Sequence, residues 1–184
     1  MRQNVAQLRG QGFHEVIDPY RAVEVISKPT EWQASQVTRA VQEIVSTRPV
    51  DGIFLHSDCV DISVVLPILD KLGKKIAAGR EGHIFITGVD GCPEMLSAIH
   101  SGFADQSSSQ PFPDFGIISL WIKRGLDKMP FDPDFPTPVG VSWPSVTVQK
   151  GETGYQLLMA TTSVTNQNVD NKQLWGNQSI QSNK

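Results

Sequence analysis

Apolar positions recur at helical spacing in some stretches and gather into short β-branched runs in others, and the two patterns alternate along the chain. From about residue 4 to 18, Val5, Leu8, Phe13, Val16 and Ile17 predict a helix, and Val23-Glu24-Val25-Ile26 then predicts a strand. Between Glu31 and Thr47, Val37, Ala40, Val41, Ile44 and Val45 form one stripe, the clearest helix in the sequence, closed by Pro49. Gly52-Ile53-Phe54-Leu55 reads as a buried strand and Ile62 to Leu72 as a helix with Gly73 at its end; Pro67 within it removes a backbone donor and predicts a kink or a late start.

After a polar, glycine-containing loop from Lys74 to Gly82, His83-Ile84-Phe85-Ile86-Thr87 predicts the next strand and Pro93 to Ser101 the next helix, with Pro93 suited to its first turn. A short extended piece leads to Gln110, and Asp114 is placed to cap a helix carrying Phe115, Ile118, Ile122 and Leu126. The alternation stops there. Residues 129 to 145 are dense in proline, which rules out a continuous helix, so they read as a connector. Tyr155 to Ala160 predicts one more strand, and the polar stretch from Thr165 to Lys184 reads as a largely solvated tail. The whole predicts an α/β fold, a parallel sheet flanked by helices, with residues 1–128 forming the lobe and 129–184 a connector, hinge segment and tail. The last helix of the lobe belongs either to it or to the other lobe.

The bulk properties narrow the function classes. A length of 184 residues supports one domain with a real core and is short for two α/β domains. A net charge of −3 provides no broad positive field, so nucleic acid is not an expected partner. No stretch reaches the roughly 18 to 20 apolar residues of a membrane span, and the polar start at Met1 contains no apolar signal core. Cys59 and Cys92 lack the close spacing of a zinc or redox motif, which leaves two independent thiols or a disulfide; each stands just beyond one of two neighbouring predicted strands.

In an open parallel sheet, ligands bind beyond the carboxyl ends of the strands. His56, Ser57 and Asp58 follow one strand there, Gly88-Val89-Asp90-Gly91 follows another, and Trp32 lies beyond the Pro29-Thr30 turn. An aromatic plate beside carboxylate, amide and guanidinium groups suits a sugar, whose C–H face stacks while its hydroxyls need both donors and acceptors. No GxxxxGK[ST] phosphate loop or dinucleotide fingerprint occurs, and no histidine falls into a triad or metal-ligand pair. The carboxylates Asp58 and Asp90 also admit an acid–base or Mg²⁺ reading, and Asp58 alone reads more simply as a helix N-terminal partner.

Five segments in order carry a family resemblance: Arg9-Gly10-Gln11-Gly12-Phe13, Pro29-Thr30-Glu31-Trp32, Asp51 through Asp58, Gly88-Val89-Asp90-Gly91 with Pro93, and the tail with Asn168-Val169-Asp170 and Leu174-Trp175-Gly176-Asn177. Together they resemble the C-terminal lobe of type I periplasmic sugar-binding proteins of ABC transporters, the ribose- and galactose-binding kind. The resemblance implies a binding protein without catalysis or cofactor. It takes a monosaccharide or similar polyol between two lobes in the periplasm and presents it to an ABC permease.

Residue by residue, the resemblance implies that Arg9 and Asp90 bond sugar hydroxyls, that Trp32 stacks on the ring, and that Gln110 lies at a crossing between lobes. Ser57 stands where the family commonly has Asn, and Val89 where an aromatic is frequent. The resemblance further implies a five-stranded sheet with a central strand ahead of the Arg9 helix. Only eight residues precede Arg9, so the lobe is expected to be incomplete at its N-terminus. A sugar-sensing transcription regulator built on the same body, or a truncated product without independent activity, are the competing readings.

Overall fold

The computed structural model of the chain describes residues 4–112, 115, 146–151 and 154–178. Helix α1 spans Asn4–Ile17 and α2 spans Ala34–Thr47; strand β1 (Gly52–Leu55) leads into α3 (Asp58–Lys71), and β2 (Phe85–Asp90) into α4 (Pro93–His100). Then follow β3 (Gln106–Ser109), the pair β4 (Val146–Gly151) and β5 (Gly154–Met159), β6 (Thr162–Val164) and the single turn α5 (Trp175–Gln178). The main sheet runs β1-β2-β3-β6. β1/β2 and β2/β3 are parallel, with Leu55 opposite Gly88 and Asp90 opposite Ser109, whereas β6 returns antiparallel to β3. β4 and β5 form a separate antiparallel ribbon. The fold is therefore α/β with a mostly parallel sheet, as the alternation implies.

The core lies between the sheet and helices α2, α3 and α4. Val37 and Val45 of α2, Ile62, Val65 and Leu69 of α3, and Met95, Leu96 and Ile99 of α4 pack with Leu55 and Ile86 from the strands. The α2 pair recurs at helical spacing, and the α3 residues lie three or four apart, so each helix turns one stripe inward. Burial of each such side chain contributes about 1.5 to 3 kcal/mol.

The structure departs from the sequence pattern in five places, each for a local reason. Val23 to Ile26 is not a strand: the segment pairs with no described strand, and Val23, Val25 and Ile26 remain exposed. β-propensity alone does not make a strand when no neighbour supplies the ladder. Helix α2 starts at Ala34 rather than Glu31, because Glu31 and Trp32 both take left-handed backbone, φ 48° and 58°. Helix α3 starts at Asp58, four residues ahead of Ile62. The Ser57 carbonyl accepts from the Val60 and Asp61 N–H groups, and Asp58 and Asp61 place acids in its first turn, while Pro67 lies inside the helix.

Strand β2 covers Phe85 to Asp90 instead of His83 to Thr87. The ladder with β1 begins at Phe85, and His83 is diverted to the Ile76 carbonyl (2.7 Å) and the Asp105 carboxylate (2.9 Å). Near the C-terminal end an unexpected strand appears, and the stretch from Thr165, whose described residues are mostly exposed, is anchored at two apolar positions. β6 joins the sheet, and Val164, Val169 and Leu174 are buried. Their spacing among polar turn residues matches neither a helical nor a strand period, which is why it reads as solvated. Apart from Phe115, the helix expected after Asp114 and the proline-rich connector lie outside the described residues.

Candidate ligand-binding site

Three of the residues singled out from sequence meet where β1 and β2 end. The Arg9 guanidinium donates to the His56 carbonyl and, through its second terminal nitrogen, to Asp90 Oδ1 at 2.7 Å. The Ser57 hydroxyl donates to Asp90 Oδ2 at 2.6 Å. Arg9 arrives there because α1 lies across the end of β1, with Phe13 stacked on Phe54 at 4.7 Å between ring centroids and Gly10 close against the His56 ring. Asp90 is nearly covered, and its φ of 125° is one that non-glycine residues seldom adopt. Its main-chain carbonyl accepts from the Trp175 indole N–H at 2.7 Å and from the Gln110 N–H at 3.0 Å, so the tail and the β3 exit both hold this turn.

The glycines on either side have steric reasons. A Cβ at Gly88 would fall 2.8 Å from the Asp58 Cβ, so the α3 N-terminus can approach β2 only across a glycine. Gly91, at φ 76°, would place a Cβ 2.6 Å from the Ser109 hydroxyl oxygen. Asp58 is fully buried beneath this turn. It accepts from the Gly91 N–H at 3.1 to 3.2 Å, from the Cys92 N–H at 3.3 Å and from the Ser107 hydroxyl. Its role is therefore to hold the turn that presents Asp90, in keeping with the helix-terminal reading. Burial raises its pKa, and the hydrogen bonds from Ser107, Gly91 and Cys92 oppose that rise.

Two nearby groups have pKa values shifted from the ordinary ones. Asp61 is buried with one carboxylate oxygen lacking a hydrogen-bond partner; burial, then the charges of Asp58 and Asp90, push its pKa up to about 6 against a bond to Ser57 that lowers it. Burial chiefly lowers the His56 pKa, with the Arg9 charge adding to the effect.

Trp32 is placed by a different device, the Thr30 to Gln33 turn closed by a 2.9 Å backbone bond, and is half-buried. Glu31, Trp32 and Asp90 are the non-glycine residues with positive φ among those described. Gln110 borders a shallow open depression with Ser109, Thr162, Leu174 and Trp175. The Leu174 to Asn177 segment is legible in the sequence, but the hold of Trp175 on the Asp90 carbonyl is not, nor are the places of Ser107 and Asp61. A serine in a short polar strand and an aspartate on an otherwise apolar helix face were the available signals.

The arrangement pairs a guanidinium with a carboxylate that also accepts from a hydroxyl, so their charges balance, at the carboxyl edge of a mostly parallel sheet. The chain matches the periplasmic binding protein domain over residues 1–124, and it belongs to that family. The family is one of binding proteins rather than enzymes, in agreement with the sequence reading.

Among solved structures, the chain is similar to the arabinose ABC transporter binding component from Shewanella sp. ANA-3, bound to α- and β-L-arabinofuranose. The TM-score is 0.60 at 15% identity, covering 94% of this chain and 50% of that one. An ABC transporter solute-binding protein from Actinobacillus succinogenes 130z with bound D-allose gives 0.63 at 16%, over 90% and 50%. A sugar-binding protein from Bacillus halodurans gives 0.61 at 19%, over 92% and 54%. The chain thus spans about half the length of the solved proteins it matches, and these likenesses establish the fold.

Proposed function

We propose that the chain supplies one lobe of a sugar-binding protein that works with an ABC permease, and that Arg9, Trp32, Ser57, Asp90 and Gln110 line its side of the cleft. The observation that carries this reading is the Arg9–Asp90–Ser57 cluster at the carboxyl ends of β1 and β2. Strained backbone at Asp90 and Trp32 adds to it, since strain persists where the surroundings enforce a functional geometry. Two of the matched proteins hold arabinofuranose and D-allose, which supports a monosaccharide as the ligand class.

In this reading residues 1–128 form the lobe and 129–184 the connector, hinge and tail, with the tail clasping the Asp90 turn through Trp175. An opposing lobe provides the other half of the hydrogen bonds and excludes water, and the working compartment is the periplasm. Without that lobe each hydroxyl contact competes with solvent and contributes little. Calorimetry of the purified chain with pentoses, hexoses and polyols should give no dissociation constant tighter than roughly 100 µM, near −5.5 kcal/mol. In the assembled two-lobe protein, Trp32→Ala should weaken binding by about 1 to 3 kcal/mol, and unchanged affinity would remove Trp32 from the site.

A further inference from the structure

Cys59 and Cys92 take no part in the cluster just described, yet the fold sets them side by side. Each lies four residues past a residue of the same ladder pair, Leu55 opposite Gly88, on neighbouring parallel strands. Adjacent strands are about 4.8 Å apart, so the two chains leave the sheet within the ~4.4 to 6.8 Å Cα range of a disulfide. Cys59 lies in the first turn of α3, and Cys92 is the residue capping α4. Their sulfur atoms and an Asp58 oxygen all fall within 4.8 Å of one another, and both thiols are free. Cys59 is the more accessible of the two, with its sulfur turned partly inward toward Asp58, and Cys92 is buried.

We infer that Cys59 and Cys92 form a redox-active pair that closes into a disulfide across the N-termini of α3 and α4, with a low-molecular-weight or protein disulfide as the oxidant. The more accessible Cys59 reacts first. Its thiolate attacks one sulfur of the oxidant R–S–S–R, forming Cys59–S–S–R and releasing R–S⁻, which takes a proton. Cys92 then loses its proton and attacks the Cys59 sulfur, making the protein disulfide and expelling the second R–S⁻. The two cysteines are oxidised by two electrons, one disulfide is reduced to two thiols, and the two protons end on those thiols.

Cys92 is suited to the second step only. It is buried, out of reach of an external oxidant, and its sulfur lies within 4.8 Å of the Cys59 sulfur, the one it can attack. The same cluster is less suited to a cation. Both Asp58 oxygens already accept from Gly91, Cys92 and Ser107, and a metal would have to strip donors from a fully buried carboxylate. Closure moves Cys92 toward Cys59, and Cys92 immediately follows the Asp90-Gly91 turn, so the redox state bears on the site next to it.

The test is oxidation of the full chain by oxidised glutathione in buffer and in urea, followed by intact mass and non-reducing peptide maps. In buffer the product should lose two hydrogens and yield a Cys59–Cys92 linked peptide, with the ratio of protein disulfide to glutathione adduct at least about ten-fold higher than in urea. Cys92→Ser should instead accumulate glutathione on Cys59, whereas Cys59→Ser should leave Cys92 unmodified. Equal ratios in buffer and urea, two thiols that stay reduced, or separate adducts on both cysteines would overturn the inference. So would thiols that oxidise only after a chelator removes a bound divalent cation, which would make the cluster a metal site.

Discussion

Replacing Asp58 with alanine tests whether this carboxylate, rather than the strands alone, holds the Asp90 turn. The side chain is fully buried and accepts from two main-chain N–H groups, Gly91 at 3.1 to 3.2 Å and Cys92 at 3.3 Å, and from the Ser107 hydroxyl. Removing it leaves three donors without partners where water does not reach, at about 1 to 3 kcal/mol each. Against that stands relief of a carboxylate whose pKa burial has raised, so the full sum is not lost. A net destabilisation of about 3 kcal/mol is expected, or a fall in Tm of roughly 6 to 12 °C.

Urea unfolding followed by circular dichroism measures the change. Ser107→Ala, which leaves both main-chain donors paired with Asp58, should cost only about 1 kcal/mol. The double variant should cost less than the sum, because the two substitutions delete one shared bond. A loss below about 1 kcal/mol for Asp58→Ala would show that the turn is held by the β2–β3 ladder and Trp175 instead, and would refute the reasoning.

Asp61 makes a pH-dependent contribution of opposite character. Its folded pKa of about 6 lies above the ordinary 3.8, so the folded state holds the proton more tightly; the resulting stabilisation is complete below 3.8 and is lost as pH rises through 6. Asp61→Asn should therefore gain roughly 2 kcal/mol near neutral pH and nothing below about pH 4, and a gain that does not vary with pH would contradict this. Gly176→Ala tests the clasp: its Cβ would stand 2.5 Å from the Gly91 carbonyl oxygen and 2.7 Å from Leu96 Cδ1, with backbone on one side that cannot yield. A cost of about 1 to 3 kcal/mol with a red shift in tryptophan emission is expected, and a change below about 0.5 kcal/mol would mean that the tail does not dock tightly.

The parts of the fold legible in sequence were those where one period dominates. β1 is found where the Gly52 to Leu55 run places it, and α1 and α2 differ from expectation by one to three residues at their ends. Elements fixed by partners distant in sequence were less legible. Val23 to Ile26 has the pattern of a strand and no described neighbour to pair with, while β6 carries little apolar signal and is a strand because β3 accepts it. Within the site, Arg9, Ser57 and Asp90 were legible through the order of short segments and meet as a cluster. Ser107 was not, and Asp58 was legible only as a helix-terminal residue, since the importance of both comes from a buried hydrogen bond across 49 positions of chain that no local pattern encodes.

The most direct test of the account is a nuclear magnetic resonance titration of the ¹⁵N-labelled chain with monosaccharides to about 50 mM, well above the ~100 µM limit set for a single lobe. A sugar site at this edge should give fast-exchange shifts confined to the Arg9 side chain, Ser57, the Asp90-Gly91 turn, Gln110 and the Trp32 indole, with at least one pentose or hexose more effective than glycerol. Spectra unchanged at those positions for every sugar, or shifts centred elsewhere on the chain, would contradict it.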